Sequence, residues 1–511
     1  MAFEPVYNVI KADYKKRMAS AQTVVECKLT PEAPAQIKKV LSIVCAENIT
    51  SCEVLNGEAR ITGRVNFKVL FCDMEGNTHC MAADADFSDK MAGNNIAAGV
   101  KAYAECSVVD TDTVSVSAAE IKLACVLEIQ LFSNSGEQIT HLKEGGEDLF
   151  AQKETISFCA LAAEGDEAFL VTDERAVKER LNRILMCEAQ SVIRNAAAGT
   201  DCFMLEGTVV TSVTCETEDK AVCNIILNTD FKQEIAGDGA LSAHDALASV
   251  SVKSVTAVLE KDAESGSNIV KAEITLTARA AAYSQQAAEV VTDAFCIKNE
   301  LSIATESFKV SRYLLGKCFN EKIEGSAALD AGMPFIDGIT AVCGGRMNIA
   351  NAFAEKDKIR LEGLVNTGVI YWNRETDTKN SVQVELPFSM TLNSPGVSEG
   401  CEIMAKGIIC DVTARPRKGA EIDISAAVCV HAQVFETRDG MCVKEVEIGP
   451  ERNLKMSAIA VYITKEGETL WDVAKALCTT PELIMSYNPG LKVPLSGGEK
   501  ILVYRQKNVI M

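Results

Sequence analysis

Aromatic residues are scarce in this chain, at 5% of 511 residues with two tryptophans, so any core must be filled by Val, Ile, Leu and Ala. Positive charge is scarce too: 51 Lys plus Arg stand against 71 Asp plus Glu, a net charge of −20. That balance leaves no broad face able to neutralise a phosphate backbone, which excludes a nucleic-acid binder. It equally excludes adhesion to anionic lipid through basic patches. No apolar run reaches the roughly 18 residues that a transmembrane helix needs, and the N-terminal stretch lacks the apolar core of a signal peptide. The four histidines, His79, His141, His244 and His431, lie far apart. None of the 20 cysteines falls in a CxxC pair, so no zinc spacing exists. No metal and no cofactor is expected.

What is present is a chain 48% hydrophobic and 24% charged, rich enough to bury full-sized cores. Its length suits about three or four domains of roughly 150 residues. With no export signal, the cysteines read as reduced thiols serving as small apolar core residues in a reducing cytosol.

Internal similarity organises the first 450 residues. Residues 61–71 (ITGRVNFKVLF), 205–215 (LEGTVVTSVTC) and 361–371 (LEGLVNTGVIY) are variants of one segment, anchored at Gly63, Gly207 and Gly363, 144 and 156 residues apart. After each glycine, apolar or β-branched residues alternate: Val65, Phe67, Val69, Phe71; Val209, Thr211, Val213; Val365, Thr367, Val369, Tyr371. Period two predicts half-buried strands. A polar turn follows each, and Phe87, Phe231 and Phe388 stand 24, 24 and 25 residues after their glycines. These phenylalanines read as core anchors. Cys45, Cys187 and Cys343 precede the glycines, and long alternating strands such as Ile121 to Ile129 and Ile422 to Val430 close the copies. Residues 172–185 break the pattern: Val177, Leu181, Ile184 and Leu185 have helical spacing and predict a helical connector. Asp110 to Thr113 reads as a hairpin turn, since it lacks the glycine and the closing glutamate of a calcium loop.

The repeats show no phosphate loop and no nucleophile elbow, and the many carboxylates read as solvated faces. No enzyme is expected.

From about Ile459 the texture changes. Six Lys plus Arg and five Asp plus Glu give this tail a charge of +1, against −21 for the body. A strand is followed by a helix capped by Thr469, with Leu470, Val473, Ala474 and Leu477 on its core face. Thr480 and Pro481 open a second helix, residues 488–490 end it, and residues 500–504 form a last strand. This tail resembles a LysM domain, the βααβ module best known for binding N-acetylglucosamine glycans. The resemblance rests on Tyr462, Gly467, Glu468, Thr469, Leu470, Trp471 and Ala474, then Leu483, Ile484, Asn488 and Pro489, then Gly498 to Ile501. It implies a ligand groove between two loops, Gly467, Glu468, Thr469 and Leu470 on one side and Asn488, Pro489, Gly490 and Leu491 on the other. Glu468 replaces the commoner Asp, and Cys478 replaces an apolar residue. Trp471 reads either as a surface hot spot or as cover for the core.

Tandem acidic β repeats ending in one LysM resemble the DUF3794 and LysM spore-morphogenesis proteins of Clostridia. The expected fold is mainly β: a first repeat at 1–160, a second with the helical connector at 161–300, a third at 301–456 and a LysM domain at 459–505. The resemblance implies a non-enzymatic adaptor in the mother-cell cytosol at the forespore surface. Its partners would be a SpoIVA-like coat ATPase and other coat proteins, with self-association through exposed sheet edges. The alternative is a peptidoglycan-binding protein of the wall or cortex.

Overall fold

The computed structural model describes residues 5–93, 96–145, 148–261, 267–452 and 459–504. It is mainly β. Three modules follow one another, each a pair of three-stranded antiparallel sheets closed over an aliphatic core.

In module 1 the strands are β1 (Val6–Ala12), β2 (Lys16–Leu29), β3 (Ile37–Val54), β4 (Glu58–Asp73), β5 (Thr78–Ala92), β6 (Ala102–Val116), β7 (Ile121–Ser133) and β8 (Glu137–Glu144). Module 2 holds β9 (Leu149–Val177), β10 (Leu181–Ala198), β11 (Cys202–Thr217), β12 (Val222–Ala236), β13 (Asp245–Lys261) and β14 (Asn268–Cys296). Module 3 holds β15 (Asn299–Ala328), β16 (Gly338–Glu355), β17 (Lys358–Asn373), β18 (Thr378–Asn393), β19 (Cys401–Arg417) and β20 (Glu421–Glu451). The sheets match one for one: β3-β4-β5, β10-β11-β12 and β16-β17-β18 face β2-β7-β6, β9-β14-β13 and β15-β20-β19. Module boundaries fall at 145–149 and 296–299, so residue 160 lies inside β9 rather than between repeats.

The glycine and phenylalanine landmarks are cross-strand partners: Gly63 faces Phe87, Gly207 faces Phe231 and Gly363 faces Phe388. A Cβ on Gly207 would come within 2.4 Å of the Phe231 ring and 2.5 Å of the Val192 carbonyl. Glycine weakens a strand interior, and here the phenylalanine ring fills the space that a side chain would take. The preceding strand bulges opposite each glycine, after Ile49, Ile193 and Ile349. The cysteine landmarks do not share a register. Cys45 pairs with Phe67, Cys187 with Val213 and Cys343 with Gly368, which stand four, six and five residues past their glycines.

The closing strands bury alternate residues, Ile121, Leu123, Cys125, Leu127 and Ile129 in β7 and Ile422 to Val430 in β20. Each such fully buried aliphatic contributes about 1.5–3 kcal/mol. All 20 cysteines are free thiols and none is exposed, which fits a role as apolar filler.

Two expectations are corrected. Residues 172–185 are not helical: β9 runs to Val177, a short turn follows and β10 starts at Leu181. Val177 and Leu181 are buried strand ends on either side of that turn, which mimics helical spacing. Pairing of β9 with β14 continues to Val177 opposite Asn268, so non-local pairing overrides the local pattern. Asp110 to Thr113 lies within β6, at a bulge between Val108 and Asp110, and is not a hairpin turn.

The modules contact one another cyclically. Lys68 of module 1 donates to the Cys187 carbonyl of module 2 at 2.7 Å. Gln190 of module 2 donates to the Gly345 carbonyl of module 3 at 2.6 Å. Arg346 of module 3 donates to the Cys45 carbonyl of module 1 and pairs with Glu47 at 3.4 Å. An apolar plug receives Leu41 and Leu70, Met186 and Val222, and Ala341 and Ile370 from the three modules in turn.

Beyond the sandwiches, β1 with β8, the start of β9 with the end of β14, and the start of β15 with the end of β20 form three two-stranded ribbons. They share a second core that includes Ile10, Ile139, Ile156, Phe158, Val290, Phe308 and Cys442.

Candidate functional site

The tail folds as β21 (Ile459–Ile463), α1 (Leu470–Leu477), α2 (Pro481–Tyr487) and β22 (Lys500–Tyr504), with β21 antiparallel to β22. Local chemistry sets the helix starts. The Thr469 hydroxyl accepts from the Asp472 N–H at 3.2 Å while Asp472 accepts from the Thr469 N–H at 2.9 Å, a capping box. Thr480 accepts from the Leu483 N–H at 3.2 Å, ahead of Pro481 in the first turn. Cys478 ends α1 in the left-handed conformation at φ 50°. Val473, Ala474, Leu477 and Ile484 bury against Ile501 and Val503.

The two loops expected to form a groove are built largely from side chains that satisfy each other. Gly467, at φ +82°, is exposed and makes the turn. Glu468 accepts from the Lys465 N–H and from the Tyr462 hydroxyl, both at 2.8 Å, and these hold its carboxyl below the usual range. Thr469 is committed to the cap. Asn488 donates to the carbonyls of Ile484 and Leu502, both at 2.7 Å, and accepts from the Leu502 N–H at 2.9 Å. Pro489 and Gly490 are exposed. Leu470, Trp471 and Leu491 are half-buried and pack against the tail's core cluster.

That cluster is completed by the body. Phe295 of β14 joins it, with Phe150 and Ile297 alongside. The Phe295 ring meets Trp471 edge-on at 5.0 Å between centroids, and Phe150 stacks behind it at 5.5 Å. Trp471 Nε1–H donates to Asp293 Oδ2 at 2.8 Å. Lys475, one turn further along α1, donates to both Asp293 oxygens at 2.7 and 2.8 Å. One carboxylate thus anchors an indole and an ammonium from the same helix face, in the geometry of strong charge-assisted bonds.

Asp293 reaches the tail because β14 bulges between Val291 and Asp293. Bulges re-aim side chains. The other ribbons bulge at the corresponding place, between Leu142 and Glu144 and between Val443 and Glu445, and each carries an acid there. The ribbon of β9 and β14, ribbon 2 of the three in chain order, adds the Phe150–Phe295 pair, the apolar half of the seat. Asp293, Phe295, Phe150 and Lys475 carry no sequence signal for this role, because the partners lie 178 and 182 residues apart.

Among the described residues, no group of three or more His, Cys, Asp or Glu is arranged to hold a metal ion. No helix among them is long and apolar enough to cross a membrane.

Two segments, residues 36–116 and 339–416, match the family model described as SipL, SPOCS domain. They coincide with β3–β6 of module 1 and β16–β19 of module 3. β10–β13 of module 2 repeat the same order of strands outside the matched residues. The chain is therefore similar to a sporulation-related, SipL-like family over these two segments. No curated protein and no solved structure matches the chain.

Proposed function

We propose that this chain is a non-enzymatic adaptor of spore-coat assembly, working in the mother-cell cytosol at the forespore surface. The three modules form its scaffold. The tail is a LysM-type head that recognises a SpoIVA-like coat ATPase, with other coat proteins as further contacts.

The observation that carries this reading is the seat of the tail on the body. Its loop side chains Glu468, Thr469 and Asn488 are spent on internal bonds, so few polar groups remain to read sugar hydroxyls. The Trp471 and Lys475 face is already engaged with a protein surface made of an aromatic and a carboxylate. Such a face suits a protein partner better than a glycan. The SPOCS-domain segments support the link to sporulation. Self-association has its own support: Ile459, Val461 and Ile463 of β21 and Leu502 and Tyr504 of β22 form one outward apolar sheet face.

A cleft lies between modules 1 and 2. Glu164 there pairs with Lys101 at 3.6 Å and accepts from Asn134 at 2.9 Å. Glu105 behind it pairs with Lys15 at 3.7 Å. The Glu164 contacts tie module 2 to module 1, a structural use that suits the scaffold reading.

The test is capture of the coat ATPase from sporulating cells by the full chain and by a chain truncated before Ile459. Truncation is expected to abolish capture. Equal capture by both overturns the reading, and sedimentation of the full chain with peptidoglycan without ATPase capture establishes the glycan alternative.

A further inference from the structure

The tail has one edge that carries an exposed-type aromatic and a cation on successive helical turns, and that edge faces inward. Trp471 spends its N–H on Asp293 and its ring on Phe295, while Lys475 is neutralised by the same carboxylate. A protein that reads this helix face needs the same indole edge and the same ammonium. Both cannot be served at once.

The seat is also small. It consists of one carboxylate, one ring pair and a fringe of half-buried apolar side chains. The Asp293 and Lys475 side chains keep 23% and 41% of their exposure, so water and salt reach the ion pair. An interaction of that kind biases a two-state equilibrium by a modest factor rather than locking it.

We propose that ribbon 2 is an intramolecular competitor for the tail's partner: the chain rests with Trp471 seated on Asp293 and Phe295, and the partner binds the tail after it leaves the seat. This rests on the reading of the tail as a protein-recognition head. The charged half of the seat is the element that sets the balance. The surface exposed on release pairs an aromatic with an acid, so the partner's own docking surface is expected to offer the same pairing to Trp471 and Lys475.

The experiment changes the body and leaves the tail's sequence intact. In the full chain with Trp372→Phe, Trp471 is the sole tryptophan and its emission reports the seat. Asp293→Ala is expected to shift that emission to the red and to raise affinity for the coat ATPase about tenfold, the loss of a hydrogen-bonded charge pair. Asp293→Asn keeps the acceptor for the indole and should fall between, which guards against a folding defect in the alanine variant. Added salt should favour release of the seat in the parent chain, read as a red shift of the Trp471 emission, and should leave the already shifted emission of Asp293→Ala in place. Unshifted emission in Asp293→Ala overturns the seat. A red shift with unchanged affinity, where truncation before Ile459 still abolishes capture, overturns the competition and leaves the recognition head standing. Capture that survives the truncation overturns the head itself.

Discussion

The body and the tail are stabilised in opposite ways. Each body module closes two sheets over a long aliphatic core, repeats a glycine–phenylalanine pair across neighbouring strands and is locked to the next module in a cycle. Most contacts join residues remote in sequence. The tail is a small unit whose turns and caps are local, and it completes its core with Phe295 from another module. A core of that size supplies little stability by itself. The body should therefore respond to mutation as a cooperative whole, and the tail as a separable head.

The largest expected effect lies in the body. Gly207→Val forces a branched side chain into the Phe231 ring and the Val192 carbonyl. It should cost about 3 kcal/mol or more, read as a lower urea midpoint for the main unfolding transition. A normal midpoint would break the account of the repeat.

Acid should also act on the body. Burial, with Lys15 and Lys406 nearby, pushes the His431 imidazole down to about 4 from its usual 6.5. The unfolded chain therefore takes up this proton first as pH falls. Stability should be full above about pH 6.5 and decline down to about pH 4, by up to about 3 kcal/mol. His431→Gln should flatten that part of the pH–stability curve, and an unchanged curve would assign the acid sensitivity elsewhere.

Asn488→Ala removes three hydrogen bonds, one to the Ile484 carbonyl of α2 and two to Leu502 of β22, at a cost of about 2 kcal/mol. Limited proteolysis should then cut the tail faster while the body's urea transition stays in place. Movement of both together would show that tail and body are one cooperative unit.

Much of this contrast is legible in the sequence, for physical reasons. Alternation after Gly63, Gly207 and Gly363 reports half-buried strands because side-chain direction has period two. Thr469, Thr480 and Pro481 mark helix starts because capping is local. Residues 172–185 mislead because a strand end, a short turn and a strand start place Val177 and Leu181 four apart, as a helix would. Cys45, Cys187 and Cys343 look equivalent, yet bulges shift them to different registers. Trp471 could not be assigned from sequence because its surroundings come from β14, and Asp293 points to it only through a bulge that pairing creates. Asn488 and Glu468 look like groove residues, and their bonds place them in the frame of the tail.

Hydrogen exchange tests most directly the claim that a separable head is seated on one ribbon. The full chain is compared with a chain ending before Ile459, and exchange is followed in all three ribbons. The account predicts faster exchange around Phe150 and Val291 to Cys296 on removal of the tail, with no change in β8, in the end of β20 or in the sandwich cores. Equal exchange in ribbon 2 with and without the tail, or loss of protection spread through all three modules, would contradict it.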